Sequence, residues 1–399
     1  MPIVVKSLHM KSTLKNKFIA PEKYQIVDLV RAFAILVVLA VHFGSQYISS
    51  QSQPFFLAYL WYRFWSNGGY GVSIFFVVSG FIITRLIDSM PGGLFNPDYQ
   101  DFYARRIGRI FPLLTLVCLI GVIVSLFFDS SHHDVQITMN ESHLPMNFSF
   151  WASIATFTFN WFIIFSEPLR HQYVYPLHWH VLWSLAVEEQ FYLFYPLVLK
   201  RLKNEKNLII FMFSLIIFGM VFGTYAGRYI FFNYRAFVLN SFSSFISIAV
   251  GCLLYIFSKR YKKYLSNNKK TSTYICLSGF FLINLYYWHH YVLVESWWIS
   301  TGTYAVVLGV FLFLLGGLHL RNFESKHWAI PAFIGKLSYG GYLYHIFILF
   351  LLWPFMTGKN EYLDFLIYVT ATFGIAHLSY RYFEIPANLF IRKALEKNE

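Results

Sequence analysis

Arg31 and His42 bracket the stretch RAFAILVVLAVHFG, with ten residues between them and none of those charged. In a helix, eleven positions turn through roughly 1100°, three full turns plus about 20°. Both side chains therefore share one face, about 16 Å apart along the axis. Moving an ionisable group from water into lipid costs a few kcal/mol or more, so the pair needs a compensating partner or a functional use. Asp28, one turn before Arg31, can supply a partner. Two readings fit. One is an arginine that snorkels beside a hydrogen-bonded core histidine. The other is a polar path along one helix face, with a cation and a base at different depths.

Other stretches carry groups of similar promise. FYARRIGRIFPLL sets Arg105, Arg106 and Arg109 at i, i+1 and i+4 of a helix. Guanidinium groups clustered in this way suit a polyphosphate, held by bidentate charge-assisted hydrogen bonds. Positive charge that only fixes topology is the competing reading. Pro112 is expected near a helix start, where a missing N–H is tolerated. In LHWHVLWSLAVEEQFYLFYPLVLKR, His180, Ser184 and Glu188 recur every four residues and share a face. Glu189 points about 100° away from Glu188. A carboxylate deep in an apolar run needs a cation or a proton. Arg31 is a candidate partner for Glu188, either as part of a site or as a structural ion pair. GGYGVSIFFVVSGFIITRLI offers Gly68, Gly69, Gly71 and Gly80 for close helix approach, and Ser79 as a hydroxyl that can face the same space. LSYGGYLYHIFILF places Ser338 and His345 seven apart, again on one face. Arg381 and Glu384, in SYRYFEIPANLF, are expected to form a helix-end ion pair before Pro386. The histidines of SSHHD (130–134) and YWHHY (287–291) lack metal-ligand spacing on one element and are expected at the surface or membrane interface. No metal site is expected, and the chain has neither a phosphate-binding glycine loop nor a G-x-S-x-G elbow.

The elements that must position these residues are membrane helices. The 399 residues are 57% hydrophobic and only 13% charged, where a soluble domain carries about 25% charge. Mean hydropathy is +0.50. Apolar runs long enough to cross a bilayer lie near 27–47, 70–87, 110–128, 181–199, 208–227, 238–257, 273–293, 302–320, 337–356 and 362–381. An eleventh segment, 149–165, is shorter and richer in Ser, Thr and Asn. The charges choose between ten and eleven spans. With ten spans and a cytoplasmic N-terminus, 26 of the 32 Lys and Arg lie inside and five outside. A full crossing by 149–165 would put KRYKK on the outside. The positive-inside rule thus predicts an all-α polytopic bundle of about ten spans. Both termini are cytoplasmic, and 149–165 is a re-entrant or partly inserted segment.

The predicted organisation is a basic tail at 1–26, a single membrane domain at 27–390 and a short tail at 391–399, without a cleavable signal peptide. The net charge of +13 is spread over short loops, which argues for topology rather than nucleic acid as its cause. Cys118, Cys252 and Cys276 fall in apolar spans and read as small core residues.

Taken in order, Arg31-x10-His42, FFVVSGFIITR, RRIGRIFP, WSLAVEEQFYLFYP, LSYGGYLYHI and YRYFEIPA resemble the acyltransferase-3 family of integral membrane acyltransferases, from about residue 24 to 390. The resemblance implies a multi-pass protein of the bacterial plasma membrane. It implies transfer of an acyl group, commonly acetyl from cytoplasmic acetyl-CoA, to a hydroxyl of a surface or lipid-linked glycan such as O-antigen, exopolysaccharide or peptidoglycan. Other members acylate small molecules such as macrolides. Acyl-CoA, the acceptor and membrane lipids are then the partners, with no permanently bound cofactor, and the oligomeric state stays open. His42 becomes the general base or a transient acyl acceptor. Arg31 holds the donor or a developing negative charge, Glu188 joins them in catalysis, and Arg105, Arg106 and Arg109 hold CoA phosphates. Some members carry an additional esterase-like domain. A sequence ending at residue 399 leaves no room for one, so transfer is expected to be completed by the membrane domain or a separate partner. A reading from another class is an exporter that uses the same polar stripe as a pathway without chemistry.

Overall fold

The computed structural model describes residues 24–47, 56–128, 147–166, 177–225, 238–289, 298–356 and 360–396. The basic N-terminal tail up to residue 23, His132, His133 and His290 lie outside them. Among the described residues there are helices and turns but no strand. The helices are α1 (Gln25–Tyr47), α2 (Phe56–Ser66), α3 (Tyr70–Asp88), α4 (Tyr99–Phe128), α5 (Phe148–Ala155), α6 (Phe159–Ser166), α7 (Leu182–Leu202), α8 (Glu205–Tyr225), α9 (Ser241–Arg260), α10 (Lys262–Asn267), α11 (Lys269–His289), α12 (Trp298–Gly317), α13 (Ala329–Lys336), α14 (Ser338–Leu352), α15 (Glu361–Ser379) and α16 (Ile385–Glu396).

Within the described residues, each of the ten apolar runs coincides with a helix. Among the described residues, six helical segments are long and apolar enough to cross a bilayer unaided, and a seventh is if α13 and α14, bent by 59°, are taken together. α7 fails that test for a reason bound up with its role: Glu188, Glu189, Lys200 and Arg201 lower its hydropathy. The chain is a multi-pass membrane protein. The exposed apolar side chains follow: α8 and α11 turn Ile217, Val221, Phe281 and Tyr274 outward, as lipid-facing helices do.

The residues 149–165 form two eight-residue helices, α5 and α6. Eight residues rise only about 12 Å, well short of a bilayer. Asn147 starts α5 by accepting the Phe150 N–H at 3.0 Å. Phe157, at a φ of 54°, turns the chain between the two helices. The turn is fastened to α7 by Gln190, whose amide donates to the Phe157 carbonyl at 2.5 Å and to Asn160 at 2.9 Å.

α1 sits at the centre, against α3, α13 and α14. Glycine sets two of the closest approaches. A Cβ on Gly80 of α3 would strike the Ile248 carbonyl of α9, and one on Gly251 of α9 would strike the Val77 carbonyl of α3. Membrane helices lack a hydrophobic force between them, so backbone proximity of this kind supplies the packing. Cys252 and Cys276 are buried and Cys118 half-buried, all as free thiols.

Two local expectations are corrected. Pro112 lies inside α4, not at its start. Leu113, Leu114 and Val117 are buried beyond it and carry the helix through. A proline is tolerated in membrane helices more readily than in soluble ones, and next to it the Tyr339 hydroxyl of α14 donates to the Ile110 carbonyl at 3.2 Å, tying α4 to its neighbour. Arg381 and Glu384 form no ion pair. A π-helical turn, Tyr380–Glu384, shifts the register between them. The Glu384 carboxylate accepts from Ser379 at 3.2 Å, Arg381 lies 5.5 Å from the Tyr382 ring centre, and helix resumes through Glu396.

Candidate active site

A cavity of about 110 Å³ opens between α1, α3, α4, α7 and α14. Arg31 enters it from α1, Ser79 from α3, Arg106 and Arg109 from α4, Ser184 and Glu188 from α7, and Ser338 from α14. Helical spacing explains the selection. Ser184 and Glu188 are one turn apart on α7, and Arg106 and Arg109 are one turn apart on α4. Glu189, the adjacent carboxylate, does not line the cavity, and one of its oxygens is buried with no hydrogen-bond partner.

The cations are held in different ways. Arg31 donates to Asp28 at 3.2 Å, across one helical turn. Asp28 thereby positions Arg31 without lining the cavity. Its own segment is braced because Gly335 of α13 packs against the Asp28 carbonyl. Arg106 is buried and lies 3.7 Å from the centre of the Tyr192 ring. Such stacking over an aromatic face contributes about 2 kcal/mol or more when desolvated. The Arg106 Nε has no hydrogen-bond partner, which leaves a donor for an entering anion. Glu188 lies within electrostatic reach of Arg106, Arg109 and Arg31. Arg105 stands apart. It faces out of the cavity and forms a bidentate pair with Asp101, at 2.6 and 2.7 Å.

Tyrosine hydroxyls tie the walls together. The Tyr192 hydroxyl bonds Ser79, and the Tyr342 hydroxyl bonds Ser184 at 2.7 Å. Both tyrosines line the cavity. Sequence reasoning passed over both, although Tyr192 lies four after Glu188 and Tyr342 four after Ser338.

His42 and His345 do not line this cavity. They lie together, further along α1 and α14, with ring centres 5.0 Å apart and planes inclined at 50°. His42 is half-buried and His345 wholly buried. Of the candidates, then, one group gathers at the cationic cavity (Arg31, Ser79, Arg106, Arg109, Ser184, Glu188, Ser338) and the two histidines form a layer above it. The two levels are joined by Tyr342, whose hydroxyl meets the cavity and whose carbonyl meets His345 at 2.6 Å. Among the described residues, no group of three or more His, Cys, Asp and Glu is arranged to hold a metal ion.

Apolar helices around a pocket lined by Arg31, Arg106, Arg109 and Glu188, with two neighbouring histidines further along, define a multi-pass membrane protein that holds charged groups between its helices. Comparison with known proteins gives that class its family. A family model described as an acyltransferase domain, that of the acyltransferase-3 family, matches residues 24–381, and the chain belongs to this family. It is 28% identical over 390 residues to O-acetyltransferase OatA of Staphylococcus aureus strain NCTC 8325 / PS 47, covering 93% of this chain and 58% of that protein. The O-acetyltransferase OatA proteins of strains COL and MRSA252 match with the same identity and coverage. The chain thus spans less than two thirds of the length of the curated relatives it matches. No solved structure matches it significantly.

Proposed function

We propose that this chain is an O-acetyltransferase. It moves an acetyl group from cytoplasmic acyl-CoA to a hydroxyl of a cell-surface or lipid-linked glycan at the bacterial plasma membrane. The observation that carries the reading is the cavity between the helices, which Arg31, Arg106, Arg109 and Glu188 line together, in a chain whose relatives are named O-acetyltransferases. A thioester donor with a phosphorylated tail needs fixed cations, and guanidinium groups meet phosphate oxygens bidentately. In this reading Arg106 and Arg109 bind the donor phosphates. Arg31, fixed by Asp28, adds a third positive charge to the field that holds the donor. Glu188 balances the cations and orients them.

The acceptor hydroxyl approaches from the other side and meets His42. An unactivated hydroxyl needs a base poised near the working pH, and imidazole is the side chain that provides one. Direct transfer and passage through an acyl-His intermediate both use the same groups. The topology that suits this division is ten spans with both termini in the cytoplasm and α5–α6 as a re-entrant pair, because it puts the Arg106 end of α4 inside. A cysteine introduced at Lys263 should then react with a membrane-impermeant thiol reagent only from the cytoplasmic side.

The deciding experiment supplies radiolabelled acetyl-CoA to inverted membrane vesicles and scores label in the glycan fraction. Consumption of the donor with labelled glycan supports the reading. Labelled low-molecular-weight product instead of glycan would make the acceptor a small molecule. Glycan movement without donor consumption would make the chain an exporter and overturn the proposal.

A further inference from the structure

We propose that His345 is the second half of a two-imidazole unit. It is a neutral acceptor lodged behind His42 that fixes the tautomer of His42 and steadies the imidazolium formed when His42 takes a proton. This rests on the reading of His42 as the base.

His345 hydrogen-bonds to the backbone of its own helix, at Tyr342 and Gly341. Its Nδ1 is 2.6 Å from the Tyr342 carbonyl oxygen. A carbonyl only accepts, so Nδ1 carries the proton and Nε2 is left as a bare lone pair. That nitrogen is buried and has no partner. An unsatisfied buried polar atom costs about 1–3 kcal/mol, and such atoms are few in native interiors. Since His345 is wholly buried, bulk water does not offset that cost.

The ring next to it is His42, with centres 5.0 Å apart. Two imidazoles joined by an N–H···N bond of about 2.9 Å have centres roughly 5 Å apart. The spacing is that of a hydrogen-bonded pair, although no bond joins the rings in the present orientation. Rotation of the half-buried His42 ring closes it. Catalytic hydrogen bonds are often poorly aligned until substrate arrives.

The consequence is a directed chain. The Tyr342 carbonyl accepts from His345 Nδ1, and His345 Nε2 accepts the N–H of His42. The other nitrogen of His42 is then unprotonated and free to act. In transfer, the acceptor O–H breaks as its oxygen bonds the acyl carbon, and the proton passes to His42. The C–S bond of the acyl thioester breaks, and the departing thiolate takes that proton. The N–H shared with His345 stays in place, so the pair ends as it began. This is the arrangement in which a base is oriented by a third group, with a tautomer-locked histidine as the orienting group. His345 is a positioning residue here, and Tyr342 couples its placement to the wall of the donor cavity.

The test uses the full chain in inverted membrane vesicles with radiolabelled acetyl-CoA, at matched protein levels. His345→Phe fills the same space without an acceptor. It should lower kcat on the order of 10²-fold, the scale of acid–base contributions, with KM for acetyl-CoA within about threefold of the parent. His345→Gln, which restores an acceptor oxygen, should recover activity at least tenfold above His345→Phe. Combining His345→Phe with His42→Gln should add little to His42→Gln alone, since residues acting as a unit are non-additive. Should His345→Phe fail to insert, the Gln variant decides the matter, alone and combined with His42→Gln. A His345→Phe variant within threefold of normal, beside an inactive His42→Gln, would overturn the proposal and leave the His42 reading standing. An active His42→Gln would remove both.

Discussion

The histidine layer is built on α1 and α14, two of the five helices that line the cationic cavity, yet the two levels treat polar groups in opposite ways. In the cavity, charge is plentiful and cross-braced. Arg31 leans on Asp28, Arg106 on the Tyr192 ring, and Glu188 is shared among three guanidinium groups. Above it, His42 and His345 make almost no polar contacts apart from those of His345 to the backbone at Tyr342 and Gly341. The contrast teaches a division of labour. A binding site for an anion tolerates redundancy, because several cations contribute to one field. A base has no understudy, since proton transfer runs through one nitrogen.

The largest effect should therefore come from the sparser level. His42→Gln keeps much of the shape and a hydrogen bond but removes the base. It should cut acetyl transfer about 10²–10⁴-fold while insertion and donor affinity persist. Transfer rates in vesicles, with donor affinity measured separately, check this. Near-normal transfer at matched protein levels would move the chemistry away from His42.

Arg106→Ala comes next. It removes a charge-assisted contact worth about 1.5–3 kcal/mol, so KM for acetyl-CoA should rise roughly 10–100-fold with a smaller change in kcat. Arg106→Lys should recover only part, because an ammonium reproduces neither the fork nor the stacking on Tyr192. If Arg106→Ala leaves KM unchanged, the cavity does not hold the donor, and the comparison between the two levels collapses.

Tyr342→Phe addresses the join between them. It deletes the hydroxyl that meets Ser184 at 2.7 Å but leaves the backbone carbonyl that holds His345. The net worth of such a bond is about 0.5–1.5 kcal/mol, so a loss of roughly threefold to tenfold in transfer is expected. A loss as large as that of His42→Gln would mean that the hydroxyl itself takes part in the chemistry.

How much of this was legible in the sequence differs by level. Within one helix, spacing carried far: Asp28 with Arg31, Glu188 rather than Glu189, and Ser184 with Glu188 all follow from 3.6 residues per turn. Between helices it carried little. Nothing local announces that His42 meets a histidine 303 positions away, because neighbouring helices are chosen by close packing of the kind seen at Gly80 and Gly251. Tyr192 and Tyr342 were hidden for another reason: with 29 tyrosines in the chain, no single one stands out until a wall is formed around it. Pro112 and the Arg381–Glu384 pair misled because rules for isolated helices were outweighed by burial on either side of a proline and by a π-turn. Among the described residues, one apolar run that falls short as a span, α7, does so for a related reason: it carries the site's carboxylates, and they dilute its hydropathy.

The smallest effect separates topology from binding. RRIGR reads as one cluster in sequence, but α4 sends Arg106 and Arg109 into the cavity and turns Arg105 to Asp101. That pair is close and bidentate, yet both side chains are about a quarter to a third exposed, where ion pairs contribute about 0–1 kcal/mol. Losing Arg105 also leaves Asp101 in the first turn of α4, where a carboxylate is favoured by the helix dipole. Arg105→Ala should therefore change KM for acetyl-CoA by no more than about threefold and leave insertion intact, against the far larger change at Arg106 on the next position. Donor titrations of the two variants side by side make the test. An Arg105→Ala variant that raises KM as much as Arg106→Ala would mean that the phosphate-binding surface extends past Asp101 to the mouth of the cavity, and that the ion pair opens when the donor binds.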